Sequence, residues 1–299
     1  MLRAYTVMGI RGLAPLLRSA LGDRLSTYTN LSSLIHAQPQ MRNVAIDTSN
    51  YLYKYASVGR AARGFVYQLG WMRQLGLSPI YVLDGMRPRY KKKKSDRWVS
   101  LSLCAHNQQT IHTIQERQYT HIRPDLRELV YLFQNLGVSY YQAPEEADTV
   151  ISYLAREGIV DLVFSDDMDM IPRGCPHTVT NYRGILTHWQ LDSILETLGW
   201  NEQQLRENCV LLGCDYSPYY LKAADRDQFY YGLLLQDRTM DAAVLDSVRT
   251  AADRLNMLST CSQRPSTLAG ITWERVKEHL DKLGIEYEDE LVQLWTEKI

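Results

Sequence analysis

The sequence predicts an α/β fold with a mostly parallel central sheet flanked by helices, and three observations carry that expectation. Short apolar runs rich in Val and Ile recur along the first part of the chain, several of them end in an aspartate, and stretches of helical periodicity lie between them. Asn43-Val44-Ala45-Ile46 leads into Asp47, Pro79-Ile80-Tyr81-Val82-Leu83 into Asp84-Gly85, and Asp161-Leu162-Val163-Phe164-Ser165 into Asp166-Asp167. Such runs are too short for helices and read as buried strands. Helix-like stretches at 61–75 and 127–136 alternate with them, which implies a parallel sheet covered on both faces. In open sheets of that kind ligands bind beyond the carboxyl ends of the strands, so three strands would deliver acid side chains to one edge.

Two further segments add acids. Ala143-Pro144-Glu145-Glu146-Ala147-Asp148 precedes a helical pattern from Thr149 to Arg156, with Gly158 as its stop. Proline followed by acids is also an ordinary helix start, because carboxylates favour the positive end of the helix dipole. Cys209-Val210-Leu211-Leu212-Gly213-Cys214 ends in Asp215-Tyr216, and periodicity leaves strand and helix both open there. Residues 1–216 read as the core. Residues 217–299 lack strand signals and carry helical patterns near 240–258 and 273–283, separated by a turn at Gln263-Arg264-Pro265-Ser266. They are expected to form a helical C-terminal region packed on that core.

Composition narrows the class. The chain has 299 residues, 45% hydrophobic and 22% charged, which suits an ordinary globular protein. No uninterrupted apolar run approaches the roughly 18 residues of a spanning helix, so no membrane partner is expected. Five scattered cysteines, with no Cys-x-x-Cys pair, argue against a disulfide framework and a zinc site. They point to a reducing intracellular compartment, nucleus or cytoplasm. Twenty tyrosines against four phenylalanines are read as half-buried boundary residues, with base stacking as the alternative. Arg3, Arg11 and Arg18 precede the first acid, Asp23, as in a transit peptide, but Met8-Gly9-Ile10-Arg11-Gly12-Leu13 is better explained below.

The chemistry follows from residue type. Oxygen donors without His or Cys select hard cations such as Mg²⁺ or Mn²⁺. Crowded carboxylates raise one another's pKa unless cations neutralise them. Two ions roughly 4 Å apart would do so and would serve phosphodiester hydrolysis. A lone aspartate after a strand usually means only a turn or cap. Repetition of the pattern, with Asp166-Asp167-Met168-Asp169 among its members, is what favours a site. The net charge is −1, yet Arg87, Arg89, Lys91, Lys92, Lys93, Lys94 and Arg97 follow directly on Asp84-Gly85. Cations beside a carboxylate centre suit a phosphate backbone better than a localisation signal.

Six segments together resemble, in order, the signature blocks of flap endonucleases and their XPG-type relatives. They are Met8 to Leu13, Ala45-Ile46-Asp47-Thr48-Ser49, Tyr81 to Gly85, Ala143 to Asp148, Ser165 to Asp169, and Leu212 to Tyr216. The resemblance implies a twisted, mostly parallel sheet of the PIN/FEN-like nuclease core and a two-metal active site that uses Mg²⁺, with Mn²⁺ as a substitute. It implies that Asp47, Asp84, Glu146 and Asp148 hold one ion and that Asp167, Asp169 and Asp215 lie near the other. Asp148 replaces the family's more usual glutamate. Lys91 matches the active-site lysine, and Arg97 lies one residue out of register with its partner arginine. Tyr53 matches a tyrosine that stacks on a base near the cut. Gly9, Arg11, Arg87, Arg89, Lys92, Lys93 and Lys94 are further expected nucleic-acid contacts, and residues 87–123 correspond to a shortened basic arch or gateway.

Three departures accompany the resemblance. Seven residues precede Met8, where family members generally begin. Ser217-Pro218-Tyr219-Tyr220-Leu221-Lys222-Ala223-Ala224 lacks the glycine-containing helix–two-turn–helix that grips duplex DNA through a potassium ion. No sliding-clamp motif is evident. Such departures resemble divergent viral members, for which a viral replication site would be the location. The expectation is a monomeric Mg²⁺-dependent nuclease acting on branched or nicked DNA as a flap endonuclease or 5′-exonuclease. The alternatives are an RNA endonuclease of host-shutoff type with the same active site, and an inactive nucleic-acid-binding module.

Overall fold

The strand that organises the molecule is Asn43–Asp47, in which Val44, Ala45 and Ile46 are all fully buried. A continuous apolar run of this kind suits a central parallel strand covered on both faces. In the computed structural model, which describes residues 9–10, 12–56, 61–86, 126–216 and 242–297, it is β2. The elements run α1 (Leu13–Leu21), β1 (Ser26–Tyr28), α2 (Leu31–Ala37), β2 (Asn43–Asp47), α3 (Thr48–Ala56), α4 (Ala61–Gln74), β3 (Ser78–Leu83), α5 (126–136) and β4 (Tyr140–Gln142). They continue with α6 (Ala147–Arg156), β5 (Leu162–Phe164), β6 (His177–Tyr182), β7 (Ile185–Gln190), α7 (Leu191–Leu198), α8 (Glu202–Gly213), α9 (Ala242–Leu255), α10 (Trp273–Lys282) and α11 (Asp289–Thr296).

The seven strands form one sheet in the order β1-β7-β6-β5-β2-β3-β4. The pairings from β6 through β5, β2 and β3 to β4 are parallel, whereas β7 pairs antiparallel with both β6 and β1. The alternation of apolar runs with helices anticipates the parallel part. It does not disclose β6, β7 or β1. The β6 sequence His177-Thr178-Val179-Thr180-Asn181-Tyr182 is rich in threonine and asparagine, so it never forms an apolar run.

Side chains alternate across the sheet with period two. Val44, Ile46, Tyr81, Leu162 and Phe164 join the larger core cluster, which also takes in residues of α4, α5, α10 and α11. Ala45, Ile80, Val82 and Val163 point the other way and pack with Val150, Ile151 and Leu154 of α6. This parity positions the site, because Asp47 follows Ala45, and Asp84 follows Val82, toward the α6 face.

The segment left open between strand and helix is α8. Asn201 caps it, accepting from the Gln204 amide, while the Gln204 side chain accepts from the Asn201 amide. Beyond residue 241 the described chain forms α9, α10 and α11, with an irregular stretch at 256–272 between α9 and α10, and packs on the preceding elements. Val248, Ala251, Ala252 and Leu255 of α9 join the cluster of α1 and α8. Trp295 of α11 is buried against α4, where its indole nitrogen donates to the Val66 carbonyl at 3.3 Å. Among the described residues, no helix is long and apolar enough to cross a membrane.

Candidate active site

Asp47 ends β2, Asp84 directly follows β3, Asp167 and Asp169 follow β5, and Glu146 and Asp148 stand at the start of α6. All six lie at the carboxyl edge of the parallel strands. Asp47, Glu146, Asp148 and Asp169 are buried, which is unusual for acids unless something compensates them.

Asp47, Asp84 and Asp167 are each held by nearby donors. Asp47 Oδ2 accepts from Asn50 Nδ2 at 2.6 Å and from Ser165 Oγ at 2.9 Å. Asp84 accepts from Ser49 Oγ at 2.6 Å and from the Ala147 amide at 2.9 Å. Through that last bond, the loop after β3 is tied to the first turn of α6. Asp167 Oδ1 accepts from the Asp169 amide at 2.9 Å, and the Asp167 amide donates to Ser165 Oγ at 3.1 Å. Its neighbour Asp166 turns toward β6 instead, accepting from the Asn181 amide at 2.6 Å.

Glu146 occupies the N-cap position of α6 without making a side-chain cap bond. Its Oε2 accepts from the Tyr216 hydroxyl at 2.6 Å. Helix-dipole stabilisation therefore does not by itself account for the acids at this helix start. The same bond brings the segment after α8 to the cluster, with Asp215 next to Tyr216 in the chain.

The electrostatics record the crowding. Burial, followed by the charges of Asp148 and Asp84, pushes the Asp47 carboxyl well above its ordinary range; the Ser165 hydrogen bond opposes this, and Asp167 adds a smaller upward push. Burial, then Asp169, raises the Cys209 thiol, which puts Asp169 within electrostatic reach of α8.

A buried cation sits behind the acids. Arg173 has no exposed surface; its guanidinium lies 3.6 Å from Glu146 and 3.9 Å from Asp148, and donates to the Tyr216 hydroxyl. Burial disfavours the charged form, but Tyr216, Asp148, Asp169 and Glu146 outweigh it and raise the guanidinium pKa. Sequence reasoning did not select Arg173 or the donors Ser49, Asn50 and Ser165. The one local signal for Arg173 is an arginine set in the apolar stretch Met170-Ile171-Pro172 just after Asp169.

Two glycines permit the close approaches. At Gly9 (φ +92°) a Cβ would collide with Asp167 Oδ1 and lie 2.7 Å from Asp169 Oδ1. At Gly85 it would collide with the Ala143 carbonyl, closing the space in which β3 and the α6 entry meet. Tyr53 on α3 is 44% exposed. Arg11, Arg87, Arg89, Lys91, Lys92, Lys93, Lys94 and Arg97, with the whole 87–123 arch, lie outside the described residues, as do residues 1–8 and 217–224.

The donor set is made of oxygens and fits a hard divalent cation. Among the described residues no three His, Cys, Asp or Glu side chains are arranged to hold an ion as they stand. Several of their oxygens are engaged by the protein donors named above.

The XPG I-region family model matches residues 137–215, which span Glu146, Asp148, Asp167, Asp169 and Asp215. Flap endonuclease 1 of Ostreococcus lucimarinus is 27% identical over 241 residues, covering 70% of this chain and 60% of the relative. Exonuclease 1 of Oryza sativa subsp. japonica is 28% identical over 241 residues, 71% of this chain and 27% of the relative. Human flap endonuclease 1 is 26% identical, over 70% of this chain and 62% of its own length. The chain thus spans about three-fifths of the flap endonucleases it matches.

In fold, it is similar to the catalytic core of Rad2 (TM-score 0.64, 17% identity, 96% of this chain and 99% of that one). It is equally similar to human GEN1 in complex with Holliday junction DNA (TM-score 0.64, 17% identity, 96% and 77%). Flap endonuclease-1 from Methanococcus jannaschii aligns with a TM-score of 0.63 at 18% identity, over 92% and 97%. Residues 137–215 thus match the XPG I-region, and the chain as a whole is similar to flap endonucleases in sequence and to XPG-type nucleases in fold.

Proposed function

We propose that the chain is a Mg²⁺-dependent nuclease that hydrolyses phosphodiester bonds in DNA where single and double strands meet. The observation that carries this reading is the convergence of acids from β2, β3, β5 and α6 on one sheet edge, where they crowd Asp47 and surround Arg173. Acids placed only as turns or caps would be spread over the surface and satisfied one at a time. The names of the relatives, flap endonuclease and exonuclease, support the reaction class, and the Rad2 and GEN1 neighbours with bound DNA support the substrate.

Asp47, Asp84, Glu146 and Asp148 would hold one cation, and Asp167, Asp169 and Asp215 a second. Bound there, such ions would supply positive charge to the reacting phosphate and acidify an attacking water. The chain's own groups prepare the site. Ser49, Asn50, Ser165 and the Ala147 amide fix Asp47 and Asp84, and Tyr216 fixes Glu146. Tyr53 offers a partly exposed ring for a base, and Lys91 with Arg97 would stabilise charge on the scissile phosphate. Residues 242–297 act as a helical buttress to the core in this reading, since α9, α10 and α11 extend its apolar clusters.

The test is cleavage of end-labelled 5′-flap DNA and single-stranded RNA, in Mg²⁺ or EDTA, by wild type and Asp169→Ala. Flap cleavage should vanish in EDTA and fall by roughly a thousandfold or more in the variant, as expected when a metal ligand is removed. Cleavage of RNA alone would move the substrate to RNA, and a folded protein silent on both would overturn the proposal.

A further inference from the structure

Arg173 has no exposed surface and sits among acids, yet no strand or helix end requires an arginine there. Its Nη2 donates to the Tyr216 hydroxyl, and that hydroxyl donates onward to Glu146 Oε2 at 2.6 Å. Its Nε lies 3.9 Å from Asp148 Oδ2, while Nε and Nη1 make no hydrogen bond among the described residues. A guanidinium normally fills a planar fork of donors when buried. This one leaves part of its fork unused and faces two carboxylates at ion-pair distance.

We propose that Arg173, relayed by the Tyr216 hydroxyl, is a positioning residue that serves as a resident counter-cation for Glu146 and Asp148 and holds them in place before a divalent ion arrives. The inference rests on the metal-centre reading of the acids. Its physical content is compensation: a buried carboxylate that loses its partner is costly, and an incoming cation can replace the partner. Arg173 therefore matters most in the metal-free protein and less once metal is bound. A merely structural arginine would matter equally in both states.

The experiment measures thermal unfolding of the full chain, in EDTA and in saturating Mn²⁺, for wild type, Arg173→Met, Arg173→Lys and Tyr216→Phe. In wild type Mn²⁺ should raise Tm, since binding to the native state alone stabilises it. In Arg173→Met the metal-free Tm should fall, and the Mn²⁺-induced rise should exceed the wild-type rise by roughly 3 °C or more. Arg173→Lys, which keeps the charge, should return most of the wild-type increment. Tyr216→Phe changes almost no volume and should also enlarge the increment, so it decides the matter if Arg173→Met does not fold. An increment equal to or smaller than wild type in the folded variants would overturn the role of Arg173 while leaving the metal centre standing. A wild type indifferent to Mn²⁺ would overturn the metal reading and this inference with it.

Discussion

Asp161 and Asp47 are the same residue type at opposite ends of the parallel sheet, and the contrast between them separates structure from function. Asp161 precedes β5 at the amino edge, where its Oδ2 accepts from the backbone amides of Arg42 at 2.9 Å and Asn43 at 2.8 Å. Its own amide donates to the Asn43 carbonyl at 2.7 Å. That aspartate closes the start of two neighbouring strands. Asp47 ends β2 at the carboxyl edge, where its donors are the side chains of Asn50 and Ser165 and its surroundings include Asp148, Asp84 and Asp167. Backbone amides are fixed by the fold and reward a single carboxylate. A crowd of carboxylates rewards nothing unless a cation enters.

The contrast can be broken or sharpened by substitution. After Asp169→Ala, the largest effect is expected at Gly9, whose missing Cβ makes room for Asp167 and Asp169. Gly9→Val should reduce flap-DNA turnover by roughly a hundredfold, as a displacement of about 1 Å in a catalytic constellation does. A variant that cleaves like wild type would show that the approach of Gly9 to Asp167 and Asp169 is not needed.

Asp161→Ala comes next. It strips the Arg42 and Asn43 amides, one exposed and one half-buried, of a charged acceptor and should cost about 1 kcal/mol in denaturant unfolding, with little change in the turnover of folded protein. Loss of turnover in a fully folded variant would erase the distinction between the two edges.

The smallest effect is a pH dependence at Asp47. Burial, then Asp148 and Asp84, raises its carboxyl in the folded state, so the folded protein holds a proton that the unfolded chain releases. Stability contributed in this way is present below the unfolded pKa, about 4, and is lost as pH rises toward the folded value. In EDTA, wild-type Tm should thus decline as pH rises above about 4, and Asp47→Asn should flatten that decline. Parallel profiles for the two proteins would mean that Asp47 carries no such burden.

What was legible in the sequence divides along the same line. A strand that ends in an acid is a local pattern, so Asp47, Asp84 and Asp167 could be placed at one sheet edge from β-periodicity alone. Glu146, Asp148, Asp169 and Asp215 also stood out as local acidic patterns, and the resemblance to family blocks supplied their expected roles as metal ligands. The groups that hold these acids were not legible, because their partners are remote in the chain: Ser49 bonds Asp84, Asn50 bonds Ser165, and Arg173 reaches Tyr216 across 43 positions. The same holds for β1, whose three residues Ser26–Tyr28 carry no apolar run and exist as a strand only by pairing with β7. For α8, the run before Asp215 was ambiguous by itself, and the Asn201/Gln204 capping box upstream settles it. Local sequence names the acids; the tertiary fold supplies what surrounds them.

The most direct test of the account is calorimetric titration of Mn²⁺ into metal-free wild type, Asp161→Ala and Asp47→Ala. Saturable binding is expected in wild type and, nearly unchanged, in Asp161→Ala, with at least a tenfold weakening in Asp47→Ala, about 1.4 kcal/mol. Equal binding by all three, or none in wild type, would contradict the claim that the carboxyl edge of the sheet is a divalent-cation centre.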